Sequence, residues 1–328
     1  MTAYLSWLAA AGDLWPPGDG ARAGEAAPDP GTGLVIGCAV GYGVDDVAPF
    51  VKSLRAVTAG PAALIVAPDP AMAAFLAAHD VAVVEATAPG EFANTYAPHI
   101  VVARFLYSVR ALDLFPGAGR ALLTDVRDVV FQADPFAEAT APLCFFLEDE
   151  PNTLATNAEG INLRWLARVL GRPLADRFAD RGCVCVGTVL GDRDAILAFC
   201  RQSLLLAAIP RAEVARTFGF GVDQATCNLI AHGRLIPGGV VHPNYGMVAT
   251  VGRTPAAGLT LGPDGRVRNP DGTVSPILHQ YDRHPHLLAE VVRRWGSTPV
   301  AGLYKQKKRK TAGQRLLTSL RKRLPELR

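Results

Sequence analysis

The chain has 328 residues, 49% of them hydrophobic and 19% charged, which suffices for the buried core of one large α/β domain and excludes a wholly disordered polymer. Six cysteines and seven histidines show no zinc-ligand spacing, because Cys183 and Cys185 are separated by one residue and the others are scattered, so reduced thiols are expected. Of the net charge of +3, residues 305–328 carry +9 (ten Lys or Arg against one Glu), leaving −6 for the remainder; an acidic body and a basic stretch with Tyr304 as its one aromatic neighbour argue against a nucleic-acid partner.

In chain order, residues 1–33 read as an N-terminal extension. MTAYLSWLAAAG lacks the basic start of a secretory signal, no apolar run approaches the ~20 residues of a membrane span, and the Gly-, Pro- and Asp-rich stretch from Gly12 to Gly33 reads as a loose connection. A cytoplasmic protein is expected. From Leu34, short apolar strands alternate with helices: LVIGCAV, a helix over 44–57, AALIVA, a helix over 69–79 with Asp69 as N-cap and Pro70 at its first position, VAVVEA, a long helical pattern over 95–115, and RALLTD. Such alternation predicts an α/β fold on a Rossmann-like, mostly parallel sheet flanked by helices, with 34–136 as its nucleotide-binding half. The rest of the 34–300 domain, 137–300, is less regular. PLCFFLED and CVCVGTVLG read as strands, 192–209 and 221–233 as helices, the Gly-, Pro- and Asn-rich chain after His232 as short strands and loops, and 284–295 as a closing helix. The basic tail, 301–328, repeats Leu316, Leu317, Leu320, Leu324 and Leu327 at helical spacing among arginines and lysines. That pattern suits an interfacial helix on an anionic membrane surface and equally a solvated end.

In a parallel sheet, ligands gather at the carboxyl ends of the strands, so RALLTD presents Asp125 there, with Asp128 three residues on. Neighbouring carboxylates repel unless a cation lies between them. Oxygen ligands favour Mg2+ or Mn2+, which complete their shells with water and phosphate oxygens, so a diphosphate substrate is expected. Each aspartate would also serve as a plain turn cap, with Arg127 as partner. The loop Val40-Gly41-Tyr42-Gly43 lets the backbone approach a nucleotide, with Tyr42 placed to stack on its base; the same glycines suit a tight strand-to-helix turn. It half-matches G-x-G-x-x-G, but the third glycine is missing and Asp46 would face a pyrophosphate, which argues against a dinucleotide oxidoreductase. No Walker A sequence is present, which argues against a P-loop kinase.

The order of these features, followed by a Gly-bearing strand, a DQ helix and a late histidine, resembles the metal-dependent GT-A-fold glycosyltransferases, in particular retaining enzymes related to glycogenin and to bacterial lipopolysaccharide galactosyltransferases. The likeness covers about Leu34 to His284 at the level of motif order. It implies a donor-side arginine at Arg104 in VARFLYS, and a metal motif at Asp125-Val-Arg-Asp128, one residue longer than the family's Asp-x-Asp, with Arg127 free to neutralise phosphate. It implies donor contacts from Gly187 and Thr188 in CVCVGTVLG, where Cys185 replaces the family's asparagine. The family's DQDxxN helix start corresponds to Asp223-Gln-Ala-Thr-Cys-Asn228, and its metal-binding histidine to His279. By the resemblance, Gln224 faces the oxocarbenium-like centre and Asp223 orients hydroxyls, whereas Asp223 alone could be an N-cap. Ranked below His279, His284 and His286 are further candidates at the metal, although HPH at a helix start is more often a surface cap, and His242 and Asn244 are candidates at the acceptor side. The implied activity is transfer of a sugar from a nucleotide-sugar donor to a glycan or lipid-linked acceptor in polysaccharide biosynthesis; the membrane-surface reading of the basic tail would make such a protein peripheral at the inner face of a membrane. A metal-dependent phosphoesterase built from Asp125, Asp128 and HQYDRHPH, and a non-catalytic, membrane-associated degenerate transferase, are the alternatives.

Overall fold

A computed structural model of the chain describes residues 2–10, 29–87, 98–138, 141–150, 152–208 and 221–296. Residues 95–97 of the expected long helix, residues 218–220 before Gly221, and the basic tail 301–328 lie outside the described residues. The first half builds α1 (Thr2–Ala10), β1 (Asp29–Cys38), α2 (Val44–Val57), β2 (Ala62–Val66), α3 (Pro70–Ala77), β3 (Ala82–Glu85), α4 (Ile100–Leu114), β4 (Ala118–Thr124) and β5 (Val129–Phe131). The second half adds β6 (Leu143–Leu147), α5 (Ile161–Leu170), α6 (Arg172–Ala175), β7 (Val184–Asp192), α7 (Arg193–Ala207), α8 (Val222–His232), β8 (Gly239–His242), β9 (Val248–Thr250), β10 (Thr260–Leu261), β11 (Val267–Arg268), β12 (Ile277–His279) and α9 (Pro285–Trp295).

The main sheet has seven strands in the order β3-β2-β1-β4-β7-β6-β8, and all but β7 run the same way. Burial on both faces explains the unbroken apolar runs: all five residues of β2 are buried. Alternate residues sort to opposite sides, Leu34, Ile36, Ala121 and Leu123 into one core and Val35, Leu64 and Leu122 into the other. The α3 start is set as the sequence predicts, with the Asp69 carboxylate accepting from the amides of Ala71 (2.9 Å) and Met72 (3.2 Å).

The chain leaves β1 toward β2 and β3 on one side, then returns to lay β4 on the other. The loop after β1 and the loop after β4 therefore flank a topological switch point, where an open α/β sheet has a crevice at its strand ends. A second sheet, β5-β12-β9, stands beside it. There β12 runs antiparallel to β5 with His279 opposite Val129, and α2 buttresses β5 through the Phe131 amide, which donates to Ser53 Oγ (3.1 Å).

The N-terminal stretch departs from expectation. β1 begins at Asp29, five residues before Leu34, and Asp29 can lie against β4 because a Cβ on Gly119 would fall 2.4 Å from the Asp29 carbonyl oxygen. Helix α1 is also part of the fold: Trp7 is wholly buried, and the Tyr4 hydroxyl donates to the Leu204 carbonyl of α7 (2.9 Å). Tyr4, Trp7 and Leu8 recur at helical spacing, and two aromatic side chains outweigh the entropy of ordering so short a helix. Among the described residues, no helix is long and apolar enough to cross a membrane. Trp7→Ala should lower stability by about 3–5 kcal/mol in urea unfolding, whereas a loosely attached extension would leave the midpoint unchanged.

Candidate metal centre and cleft

The ladder between β4 and β7 ends at Thr124 opposite Thr188, and the next amide, that of Asp125, donates to the Gly187 carbonyl (2.8 Å). Asp125 is thus delivered at the carboxyl edge of the sheet. The chain then turns, with Val126 buried and Arg127 exposed, and brings Asp128 back beside Asp125. The β5–β12 pairing supplies the third member. His279 Nε2 lies 3.7 Å from Asp125 Oδ2 and 3.9 Å from Asp128 Oδ1, and one ligand atom from each of the three residues lies within 4.8 Å of the others.

Two observations make this a site that could hold a metal ion. His279 is buried, its Nδ1 faces Thr250 Oγ1 (3.3 Å) and Cys185 Sγ (3.8 Å), and its Nε2 has no hydrogen-bond partner. A buried ring nitrogen left unpaired beside two carboxylates is what a ligating imidazole looks like before the cation enters. The space is also kept open: a Cβ on Gly187 would fall 2.5 Å from His279 Cε1 and 2.8 Å from Asp125 Oδ2. The electrostatics agree. Burial would raise the Asp125 pKa, yet the neighbouring His279 imidazole and the Arg104 charge outweigh it and hold that carboxyl below the usual range. Asp128 moves the other way, pushed up by burial and by the charges of Asp125 and Asp282 against His279 and Arg283. Burial alone would lower His279, but the nearby Asp125 carboxylate and the Asp128 charge raise it. The cluster is short of positive charge.

Arg104 projects from α4 with Nη1 2.8 Å from Asp125 Oδ1 and Nη2 3.0 Å from Asp223 Oδ2. Both Nη atoms hydrogen-bond protein carboxylates, so this cleft-lining arginine orients Asp125 and Asp223. Burial alone would lower its pKa; the two carboxylates raise it and keep it charged. At the cleft mouth Arg127 stacks over Tyr42 (5.9 Å) and pairs with Asp282 (3.0 Å), while Arg283 Nη1 lies 3.6 Å from Asp128 Oδ2. Val40 and Tyr42 line the cleft; Gly41 makes the turn, at φ +88°.

The DQ helix also differs from expectation. Gly221 is the N-cap of α8, so Asp223 lies inside the first turn, buried and held by Arg104. Gln224 borders the cleft, but its amide is engaged: Oε1 accepts from the Val186 amide (2.9 Å) and Nε2 donates to the Val184 carbonyl (2.7 Å). One turn on, Asn228 Oδ1 accepts from the Val184 amide (2.9 Å) and Nδ2 donates to the Val184 carbonyl (2.9 Å). This part of β7 overhangs the end of β4, and two side-chain amides on one helix face satisfy the backbone groups that β4 does not reach. Gln224 is therefore a strand clasp. Thr188, expected at the donor, is fully buried within β7 and does not line the cleft.

The cleft measures ≈750 Å3 and unites Val40, Tyr42, Arg104, Asp125, Arg127, Asp128, Gly187, Asp223 and Gln224. His279 lies beneath, its Cε1 against Gly187. Sequence reading missed Glu148, Asn162, Trp165, Arg253 and Arg283, which also line it. One signal was available: LCFFLEDE ends on acids as RALLTD does, and β6 runs parallel to β4. The secondary histidine candidates fall elsewhere. His284 Nε2 meets the Val251 carbonyl (2.7 Å), His286 packs against His284, and His242 stacks on Phe146. Asn244 braces Thr250 through its backbone (2.8 and 3.1 Å) and so steadies the neighbour of His279 Nδ1. No protein-family model matches the chain, and no curated protein matches it.

Two variants separate the parts of this site. Gly187→Ala should weaken Mn2+ binding by about 10- to 100-fold in a calorimetric titration while the circular dichroism spectrum is unchanged; undiminished binding would remove Gly187 and His279 from the centre. Gln224→Leu should cost about 1–3 kcal/mol of stability, because the Val186 amide loses its acceptor. A residue acting only in chemistry would leave the unfolding midpoint where it was.

Proposed function

We propose that the chain is a GT-A-type glycosyltransferase that moves a sugar from a nucleoside-diphosphate sugar to a glycan or lipid-linked acceptor, with Mn2+ or Mg2+ at Asp125, Asp128 and His279. The observation that carries the reading is the convergence of this buried Asp-Asp-His cluster on the switch-point cleft, beside the Arg104-clamped Asp223. Two carboxylates and one imidazole suit Mn2+ well, since carboxylate oxygens match hard divalent ions and a single nitrogen donor is tolerated better by Mn2+ than by Mg2+. A bound cation would supply the charge that stabilises a departing nucleoside diphosphate.

The chain's own residues do the rest. Val40 and Tyr42, in the loop after β1, border the space for a base, and Arg127 and Arg283 give the mouth a positive lining suited to phosphate oxygens. Arg104 fixes Asp125 and Asp223 in one orientation, so that Asp223 can accept a hydrogen bond from a sugar hydroxyl without swinging away. Gln224 acts at one remove, by holding β7 and with it Gly187. In this reading the basic tail, with its +9 balance, keeps the acidic body at an anionic inner membrane face where a lipid-linked acceptor resides.

The test is Mn2+-dependent release of nucleoside diphosphate from a panel of UDP-, GDP- and TDP-sugars. Asp128→Ala and Asp125→Asn should each lower turnover on the order of 10²- to 10³-fold, and EDTA should abolish it. Full activity in EDTA would overturn the metal assignment. Release of free phosphate from phosphomonoesters, with no nucleoside diphosphate from any sugar nucleotide, would replace the transferase reading with the phosphoesterase one.

A further inference from the structure

We propose that the N-terminal end of α5 is a subsite for a hydroxyl-bearing sugar ring, in which Asn162 Oδ1 accepts from a ring hydroxyl and Trp165 supplies the apolar face. The ring's identity as a sugar rests on the glycosyltransferase reading; the demand for a hydrogen-bond donor at Asn162 does not.

That demand follows from a relay whose polarity is fixed at one end. Asp149 Oδ2 accepts from Asn157 Nδ2 (3.0 Å). A carboxylate only accepts, so Asn157 must turn its amino group toward Asp149 and its Oδ1 toward Asn162, which donates Nδ2 to it (2.6 Å). The amide orientation of Asn162 is thereby dictated, and its Oδ1 is the end of the chain. That oxygen is buried and has no donor, in a residue only 5% exposed that lines the cleft. A buried acceptor left unmade is costly, and a ligand hydroxyl restores what folding removed.

The surroundings narrow the ligand. Helix α5 starts at Ile161 with no side-chain cap, so the positive end of its dipole would favour a ligand group that can accept as well as donate. Hydroxyls do both. Trp165 lies three residues along the same helix and lines the same cleft. Its indole is held by Gly221, where a Cβ would fall 2.5 Å from the ring. A rigid aromatic face beside a directed, desolvated acceptor matches a pyranose, whose C–H face packs on the ring while an edge hydroxyl donates. The ring of the donor and the ring of the acceptor share this chemistry.

Calorimetry with a nucleoside diphosphate and with its hexose-bearing form, both with Mn2+, on wild type, Asn162→Leu and Trp165→Leu, tests the proposal. The plain diphosphate should bind all three alike. If the donor ring fills the subsite, the sugar nucleotide binds each variant about tenfold more weakly. If the acceptor ring fills it, sugar-nucleotide affinity is unchanged and the acceptor KM rises about tenfold with kcat nearly constant. Neither shift in either folded variant overturns the subsite. Should Asn162→Leu unfold, which a melting curve would reveal, Trp165→Leu carries the test. Should wild type bind no nucleotide, the transferase reading fails, and ligand-observed NMR with free mono- and disaccharides decides the subsite alone: saturation transfer lost in the variants supports it, and none in wild type overturns it.

Discussion

Negative charge gathered in a place with little water is the constraint around which this molecule is arranged. Asp125, Asp128, Asp223 and Asp282 come from three separate parts of the chain and meet beside one cleft. Ionised carboxylates are held there only when something positive or hydrogen-bonding meets them. Arg104 answers two of them at once, Arg127 and Arg283 answer Asp282, and Arg283 also approaches Asp128. What these arginines leave uncompensated is the face of Asp125 and Asp128 that looks toward His279 Nε2. The centre is thus defined by subtraction: cations of the chain neutralise the outer carboxylate faces, and a residual deficit coincides with the unpaired imidazole nitrogen.

β7 is the element that makes this geometry possible. It alone runs against the rest of the sheet, and it is long enough to pass the end of β4, so that Gly187 forms the floor of the centre while Val184 and Val186 need other partners. Helix α8 supplies them with Gln224 and Asn228. Because the preceding residue of the same helix is Asp223, the clasp that satisfies β7 also sets the depth of Asp223 and its reach to Arg104. Packing, hydrogen bonding and charge placement are therefore coupled within six consecutive residues, and a change at Gln224 is felt at Gly187 before it is felt by any ligand.

The alternation of β1 to β4 with α2, α3 and α4 was legible in the sequence because each element carries its own local signals: a fully apolar run, an Asp-Pro helix start, a periodic apolar stripe. The strand-end aspartates were legible for the same reason, since the carboxyl edge of a parallel sheet is a known address. Roles that depend on partners far along the chain were not. Arg104 reads as a spare cation until Asp223, 119 residues away, is seen to share it with Asp125. Gln224 reads as a cleft-facing polar group until the overhang of β7 shows that its amide has backbone to satisfy. Helix α1 was hidden by the Gly- and Pro-rich stretch that follows it, although Tyr4 and Trp7 already carried the apolar area that docks it.

The two-residue spacer of the Asp-Val-Arg-Asp motif has a packing explanation. With one residue between them on an extended strand, two aspartates would share a face by the period of two; with two residues between them, a strand would send them to opposite faces. The chain instead turns at 126–128, and the turn is anchored from below. Val126 is buried in the core between α2 and β2, where a Cβ on Gly37 of β1 would fall 2.5 Å from Val126 Cγ2 and 2.6 Å from Leu64 Cδ2. Gly37 leaves the pocket that receives Val126, Val126 pins the turn, and the turn sets Asp125 and Asp128 on the same side as His279. The extra residue is thus the one that points inward, and the spacing of the carboxylates is governed by a glycine on the neighbouring strand.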